Sequence, residues 1–215
     1  MTNDISIERV SAELNANRPV WPAVGELCCR TGNDGAPIPV ERWELFERVW
    51  IEPYRVLIPE WSYVALADLR VVGYLTGCPD TERFARRCFV RCTVPLLRQI
   101  AFGRYRGDAY GKRFARQELR LETNVVRSFS QTVRRQIPQQ FPAHLHMNVD
   151  AEFRRAGVGR RLIEQFVKDL RQQRISGVHL FCGAAPVGFY SRMGFGELAV
   201  VNVRGNPVHA MVLPL

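Results

Sequence analysis

The chain has 215 residues, 47% of them hydrophobic, and carries 30 Lys and Arg against 21 Asp and Glu for a formal charge of +9. That apolar content excludes an intrinsically disordered chain and suits a single domain with a core of ordinary size, while the longest apolar runs fall far short of the ~20 residues of a membrane helix. The opening MTNDISIERV lacks the basic-then-apolar order of a secretory signal, so a cytoplasmic protein with no membrane partner is expected.

Lysine occurs only at Lys112 and Lys168, so nearly all the positive charge is arginine. The charge favours an anionic ligand. The arginines are spread along the chain without a basic stripe or stacking module, and nucleic acid is not the expected partner. The six cysteines (Cys28, Cys29, Cys78, Cys88, Cys92, Cys182) form no CxxC pair, which suits neither a zinc site nor a disulfide framework. Reduced, mostly buried thiols and no metal are expected.

In chain order, ISIERV (5–10) alternates as a short strand, VWPAVGELCCR (20–30) reads as a helix, and TGNDGAP (31–37) as a loop. VERWELFERVW (40–50) has helical spacing, with Trp43, Phe46, Val49 and Trp50 on one side. WSYVALADLRVVGYLTG (61–77) reads as a hairpin turning at AlaAspLeuArg. Residues 80–140 hold two long arginine-rich helical segments, the first limited by Pro95. AHLHMNVD sets Ala143, Leu145, Met147 and Val149 against His144, His146, Asn148 and Asp150, as a strand with unlike faces requires. A helix then runs to about Arg174, burying Val158, Leu162, Ile163, Phe166, Val167 and Leu170, with Glu164 and Lys168 paired outside. GVHLFCG (177–183) is a strand, GFYSRMGF (188–195) a short helix closed by Gly194, and ELAVVNV with PVHAMVLPL a closing hairpin across ArgGlyAsn.

Between the strand and the long helix lies RRAGVGRRL (154–162), with arginine at 154, 155, 160 and 161 and glycine at 157 and 159. Helix N-terminal amides and the helix dipole attract anions, and glycines let a phosphate approach the backbone. A P-loop is excluded because the loop lacks its GxxxxGK[ST] lysine. A dinucleotide fingerprint is excluded because Leu162 stands where the third glycine belongs and the next strand ends in Phe181, Cys182 and Gly183. What is left is RxxGxG, at Arg154, Gly157 and Gly159.

In that context the chain resembles the GNAT acetyltransferase superfamily. NVDAEFRRAGVGRRL is similar to its pyrophosphate loop and helix, GFYSRMGF to its Phe-Tyr-x-x-x-Gly-Phe helix and strand, and VALADLRVVGYLTG to its early hairpin. LCCRTGNDG, GYLTGCPDT and FPAHLHMNV resemble a subgroup that includes the C-terminal acetyltransferase-like domain of O-GlcNAcases. The resemblance implies an α+β fold: a mixed, mostly antiparallel sheet of six or seven strands flanked by helices, with a helical insertion at about 80–140 before the cofactor-binding strand. Two positions depart from the family pattern: Gly183 stands where asparagine is common, and Pro186 where a helix-forming alanine is common.

The activity so implied is transfer of an acetyl group from acetyl-coenzyme A to a primary amine, a small molecule before a protein. The implied cofactor contacts are Met147, Val149, Arg154, Arg155, Ala156, Gly157, Val158, Gly159, Arg160, Gly183 and Tyr190. The amide of Asn148 or Val149 would polarise the carbonyl, and Tyr190 would be the acid for the leaving sulfur, or else a packing aromatic. His144 and His146, two apart on the strand's polar face, would look into one cleft. His146 is the candidate base if it titrates near neutrality, and both equally suit a hydrogen-bonded polar interior. Cys182 is a reactive thiol or a buried inert one, and His179 and His209 read as structural. An inactive module that only binds acetyl-coenzyme A shares every loop feature, and a homodimer is left open.

Overall fold

The computed structural model describes residues 5–32, 35–104, 109–203 and 205–215; of residues 109, 110 and 121–123 only the backbone is described. Seven strands form one sheet: β1 (Ile5–Arg9), β2 (Ser62–Ala67), β3 (Arg70–Cys78), β4 (Ala143–Val149), β5 (Gly177–Cys182), β6 (Gly196–Val203) and β7 (Asn206–Pro214). Their order is β1-β2-β3-β4-β5-β7-β6. Every pairing is antiparallel except β4 with β5. The first hairpin turns through Asp68 and Leu69, both at positive φ, which matches the twist of the flanking strands.

Alternation along the strands sends side chains to two layers. Ala143 and Leu145 of β4 join Tyr63, Ala65 and Leu75 against α9 (Val158–Gln172), whose Leu162, Ile163, Phe166 and Leu170 are at most 1% exposed. That stripe is the one the 3.6-residue period demands. The helix ends at Gln172, and Glu164 pairs with Arg160 at 2.7 Å, not with Lys168. The short helix α10 (Val187–Arg192), closed by Gly194 at φ +90, packs on the same side.

The opposite face is covered by α1 (Ala12–Asn17), α2 (Val20–Thr31), α3 (Trp43–Trp50), α4 (Glu52–Leu57) and the insertion between β3 and β4. That insertion comprises α5 (Thr81–Cys88), a π turn (Phe89–Thr93), α6 (Val94–Phe102), α7 (Ala109–Ser128) and α8 (Gln131–Gln140). Pro95 does not limit the first segment. It sits in the opening turn of α6, where proline's missing N–H is tolerated. The second segment divides at Ser130, whose hydroxyl accepts from the amide of Val133 and caps α8. Phe114 and Ala115 of α7 pack with α2 and α3, while Val125 and Phe129 near its other end pack with the β6–β7 hairpin. The helix therefore runs from α2 and α3 at one end to the β6–β7 hairpin at the other.

Candidate active site

The parallel pair β4–β5 is held only at Ala143 opposite Val178 and His144 opposite His179. Beyond that point the two strands separate, leaving Leu145 to Val149 with one unpaired edge. Which amides face that edge follows from alternation. The Asp150 amide donates to the Val72 carbonyl at 2.9 Å, so the amides of Asn148 and His146, two and four residues back, also point to β3, and those of Val149 and Met147 point into the gap. Of the two amides named as carbonyl polarisers, only that of Val149 is available. The Asn148 amide is spent in the sheet, and its side chain is spent as well, donating to the Tyr74 hydroxyl at 2.8 Å.

Directly after β4, Asp150 starts a tight turn by accepting from the amide of Glu152. Its carboxylate is 4% exposed and pairs with Arg70 at 2.8 Å and Arg30 at 3.7 Å, tying the loop to β3 and α2. Arg154 folds back to donate to the Val149 carbonyl at 3.3 Å. Arg155 and Ala156 are exposed, and Gly157 precedes α9 in the left-handed region at φ +75 with no side-chain cap. The first helical bond runs from Arg161 to the Gly157 carbonyl, so the amides of Val158, Gly159 and Arg160 open toward the gap. Gly159 is needed for space: a Cβ there would lie 3.1 Å from Phe189 and 3.4 Å from Met147. A cleft of about 830 Å³ continues along α9, with Arg160, Glu164 and Arg171 on one wall and Phe189, Arg192 and Met193 on the other. Arg160, expected at a phosphate, spends its guanidinium on Glu164.

On the far side of the gap Gly183 follows β5, and Tyr190 stands in α10, 7% exposed, edge-on to Phe189 and Phe195. Burial raises the Tyr190 phenol above its ordinary range, so it is fully protonated at neutral pH. The Cys182 thiol is likewise pushed up, to about 11, by burial and then by Glu197, which makes it the inert alternative. His179 Nδ1–H donates to the Phe141 carbonyl at 2.7 Å, and His209 pairs with Glu197 at 2.6 Å.

The two histidines of β4 are not equivalent. His144 is closed into a network in which Thr81, whose one hydroxyl proton goes to the Pro142 carbonyl at 2.7 Å, accepts from Nδ1 at 2.8 Å. That fixes the tautomer, so the Tyr54 hydroxyl donates to Nε2 at 2.7 Å. With Cys78 also against it, His144 is buried and enclosed. His146 lies between the rings of Trp50 and Tyr74, at 5.7 Å from each, and its Nδ1 is buried with no hydrogen-bond partner among the described residues. Desolvation lowers His146 to about 4, and desolvation with the neighbouring histidines lowers His144 to about 3. Titration near neutrality is therefore not a property of either. Sequence reading missed the residues that build this environment: Tyr54, Tyr74, and Trp50 with its Nε1 donating to Glu118 of α7 at 3.1 Å. Trp50 could be assigned to a helix face from its spacing, but no spacing relates it to β4, 96 residues on.

A sheet that splays beside a glycine-led helix start is the architecture of an acetyltransferase fold. The family model described as the acetyltransferase (GNAT) domain matches residues 59–197, and the chain belongs to that family. Among solved structures, the one titled SsHAT is 24% identical with a TM-score of 0.75, each chain being covered over 98%. The Drosophila melanogaster polyamine N-acetyltransferase is 18% identical with a TM-score of 0.58, over 99% of this chain and 100% of that one. The NatC complex bound to Gag peptide and CoA is 12% identical with a TM-score of 0.51, over 99% of both. These likenesses show the fold. No curated protein sequence matches the chain, no helix among the described residues is long and apolar enough to cross a membrane, and among them no group of three metal-ligating side chains occurs.

Proposed function

We propose that the protein is an acetyl-coenzyme A-dependent N-acetyltransferase acting on a small primary amine. The observation that carries this reading is the free edge of β4, with the Val149 amide aimed into the gap, continuous with the uncapped amides of Val158, Gly159 and Arg160. The cofactor supplies an activated thioester. The helix-start amides hold its pyrophosphate, and the arginine-walled cleft along α9 takes the nucleotide end. Val149 N–H stabilises the charge that develops on the thioester oxygen, and the neutral Tyr190 phenol donates a proton to the departing sulfur.

His146 is the one side chain of the strand's polar face with an unused nitrogen. Its low proton affinity suits it to receive a proton only once the amine has begun to bond and become acidic, so the acceptor must arrive as the free base. The roof of α3 and α7 over His146 favours a small amine over a protein chain, and the polyamine N-acetyltransferase among the fold neighbours is consistent with that class. Isothermal titration with coenzyme A, joined to thiol release across a panel of small amines, tests the reading. Turnover of at least one amine is expected, and tight cofactor binding without turnover of any amine defeats it.

A second reading, an inactive acetyl-coenzyme A-binding module, draws on the same desolvated histidines and on Gly183. It predicts that outcome: binding at the loop with no thiol release.

A further inference from the structure

The insertion places on the surface a helical rod with two unlike flanks. From Thr81 to Phe102 the backbone is helical throughout, α5 passing into the π turn and then α6, a rod of about 33 Å at 1.5 Å per residue. Its inward row recurs every fourth residue: Phe84, Cys88 and Cys92 pack with α4, and Leu96 and Ile100 join the core under α2 and α3. A straight α-helix would rotate such a row away from the core. The wider π turn takes up the excess and keeps it facing inward.

The same correction brings Phe89 and Leu97, eight residues apart, onto one outward line. Phe89 is 59% exposed, Val90 beside it 65% and Leu97 39%. Beside this apolar line stand Arg83, Arg86, Arg91 and Arg98, all exposed and none with an acidic partner among the described residues. Glu82 is the one acidic residue of the rod. Neither the cleft along α9 nor the smaller one beside α2 involves these helices.

We propose that this rod is a docking surface for an anionic lipid bilayer, lying along it with Phe89, Val90 and Leu97 below the phosphate level and the arginines on the phosphates. Arginine's planar fork matches phosphate oxygens, and an amphipathic helix with aromatic and branched apolar residues beside such a fork inserts at the headgroup boundary. A second copy of the chain is disfavoured because the patch would meet its own charge. A bound peptide is disfavoured because the surface is convex, with the apolar side chains standing outward from a cylinder. The site is remote in sequence from the cofactor loop, so it does not depend on the proposed reaction.

The test is flotation of the full chain with vesicles of phosphatidylglycerol and phosphatidylcholine, against vesicles of phosphatidylcholine alone. Binding to the anionic vesicles alone is expected, falling as salt rises. Phe89→Ser with Leu97→Ser should weaken it about tenfold or more, and Arg86→Gln and Arg91→Gln about fivefold each. In Phe89→Trp the new indole emission should shift to the blue on anionic vesicles, a readout that survives if the double serine variant fails to fold. Absence of binding to anionic vesicles, equal binding to phosphatidylcholine, no loss in a folded double serine variant, or no shift in Phe89→Trp overturns the proposal. So does equal, Phe89-dependent binding to heparin or duplex RNA, which would make the surface a site for soluble polyanions.

Discussion

Tyr74 and Asn148 stand directly opposite each other on β3 and β4, and the Asn148 side-chain amide donates to the Tyr74 hydroxyl at 2.8 Å. The pair fixes the strand one residue before Val149, the amide that opens into the gap. Tyr74 is fully buried, so Tyr74→Phe leaves the Asn148 donor without its acceptor. A loss of about 1–2 kcal/mol in urea unfolding is expected, and the Asn148→Ala, Tyr74→Phe double variant should lose less than the two single variants together. Strict additivity would mean the pair contributes nothing.

Gly157 and Gly159 should fail in different ways. Nothing lies within 4 Å of a Cβ at Gly157, so Gly157→Ala meets only the left-handed backbone. That costs about 1 kcal/mol and lowers Tm by about 2–4 °C. Gly159→Val meets Phe189 and Met147 and should displace the helix start, weakening coenzyme A about tenfold or more by calorimetry. Equal affinity of Gly159→Val and the parent chain would remove the loop from the cofactor site.

Tyr190 is protonated at neutral pH and has no hydrogen bond to lose among the described residues, so Tyr190→Phe should leave Tm within about 1 °C. In steady-state kinetics kcat should fall about 100-fold with the affinity for coenzyme A unchanged. A kcat within twofold of the parent would make the ring a packing aromatic only.

His144 and His146 separate structure from chemistry. Tyr54→Phe removes the proton donated to His144 Nε2 and leaves that buried nitrogen only the distant Cys78 thiol at 3.9 Å, at a cost of about 1–3 kcal/mol, with kcat little changed. His146→Gln should cost activity and little stability, since its Nδ1 has no partner to lose. Reversal of the two patterns would exchange the roles assigned to them.

Acid should destabilise the fold through the same residues. Burial holds His144 to about 3 and His146 and His179 to about 4, against an ordinary 6.5. Above pH 6.5 these groups are neutral both folded and unfolded and contribute no pH dependence. Below it the unfolded chain binds protons that the folded chain refuses, so stability falls as pH drops from about 6.5 toward 4. With three such groups the slope approaches about 4 kcal/mol per pH unit near pH 5. A urea midpoint unchanged between pH 7 and pH 5 would contradict their burial.

Much of the framework was legible in local pattern. The strict alternation of 143–150 gave β4, and the stripe from Val158 to Leu170 gave α9. The glycines at 157 and 159 located the turn that opens α9, because each of these signals is written in neighbouring residues. The insertion was legible as helical but not in its joints: a π turn between Cys88 and Val94 is dictated by packing against α3 and α4, and Ser130 marks a cap only once the chain on both sides is placed.

The sequence by itself determined the seven strands in chain order, the apolar faces of β4 and α9, and the glycine loop between them, but not α1, α4 or the joints of the insertion. Tertiary structure decided which groups are left to act. Pairing of β4 with β3 consumed the Asn148 amide and freed that of Val149. Thr81, Tyr54 and Cys78, all distant in sequence, closed His144 into a network, while Trp50 and Tyr74 enclosed His146 and drove down its proton affinity. Such outcomes rest on hydrogen-bond direction and desolvation, and both are set by partners that folding brings from 60 to 100 residues away.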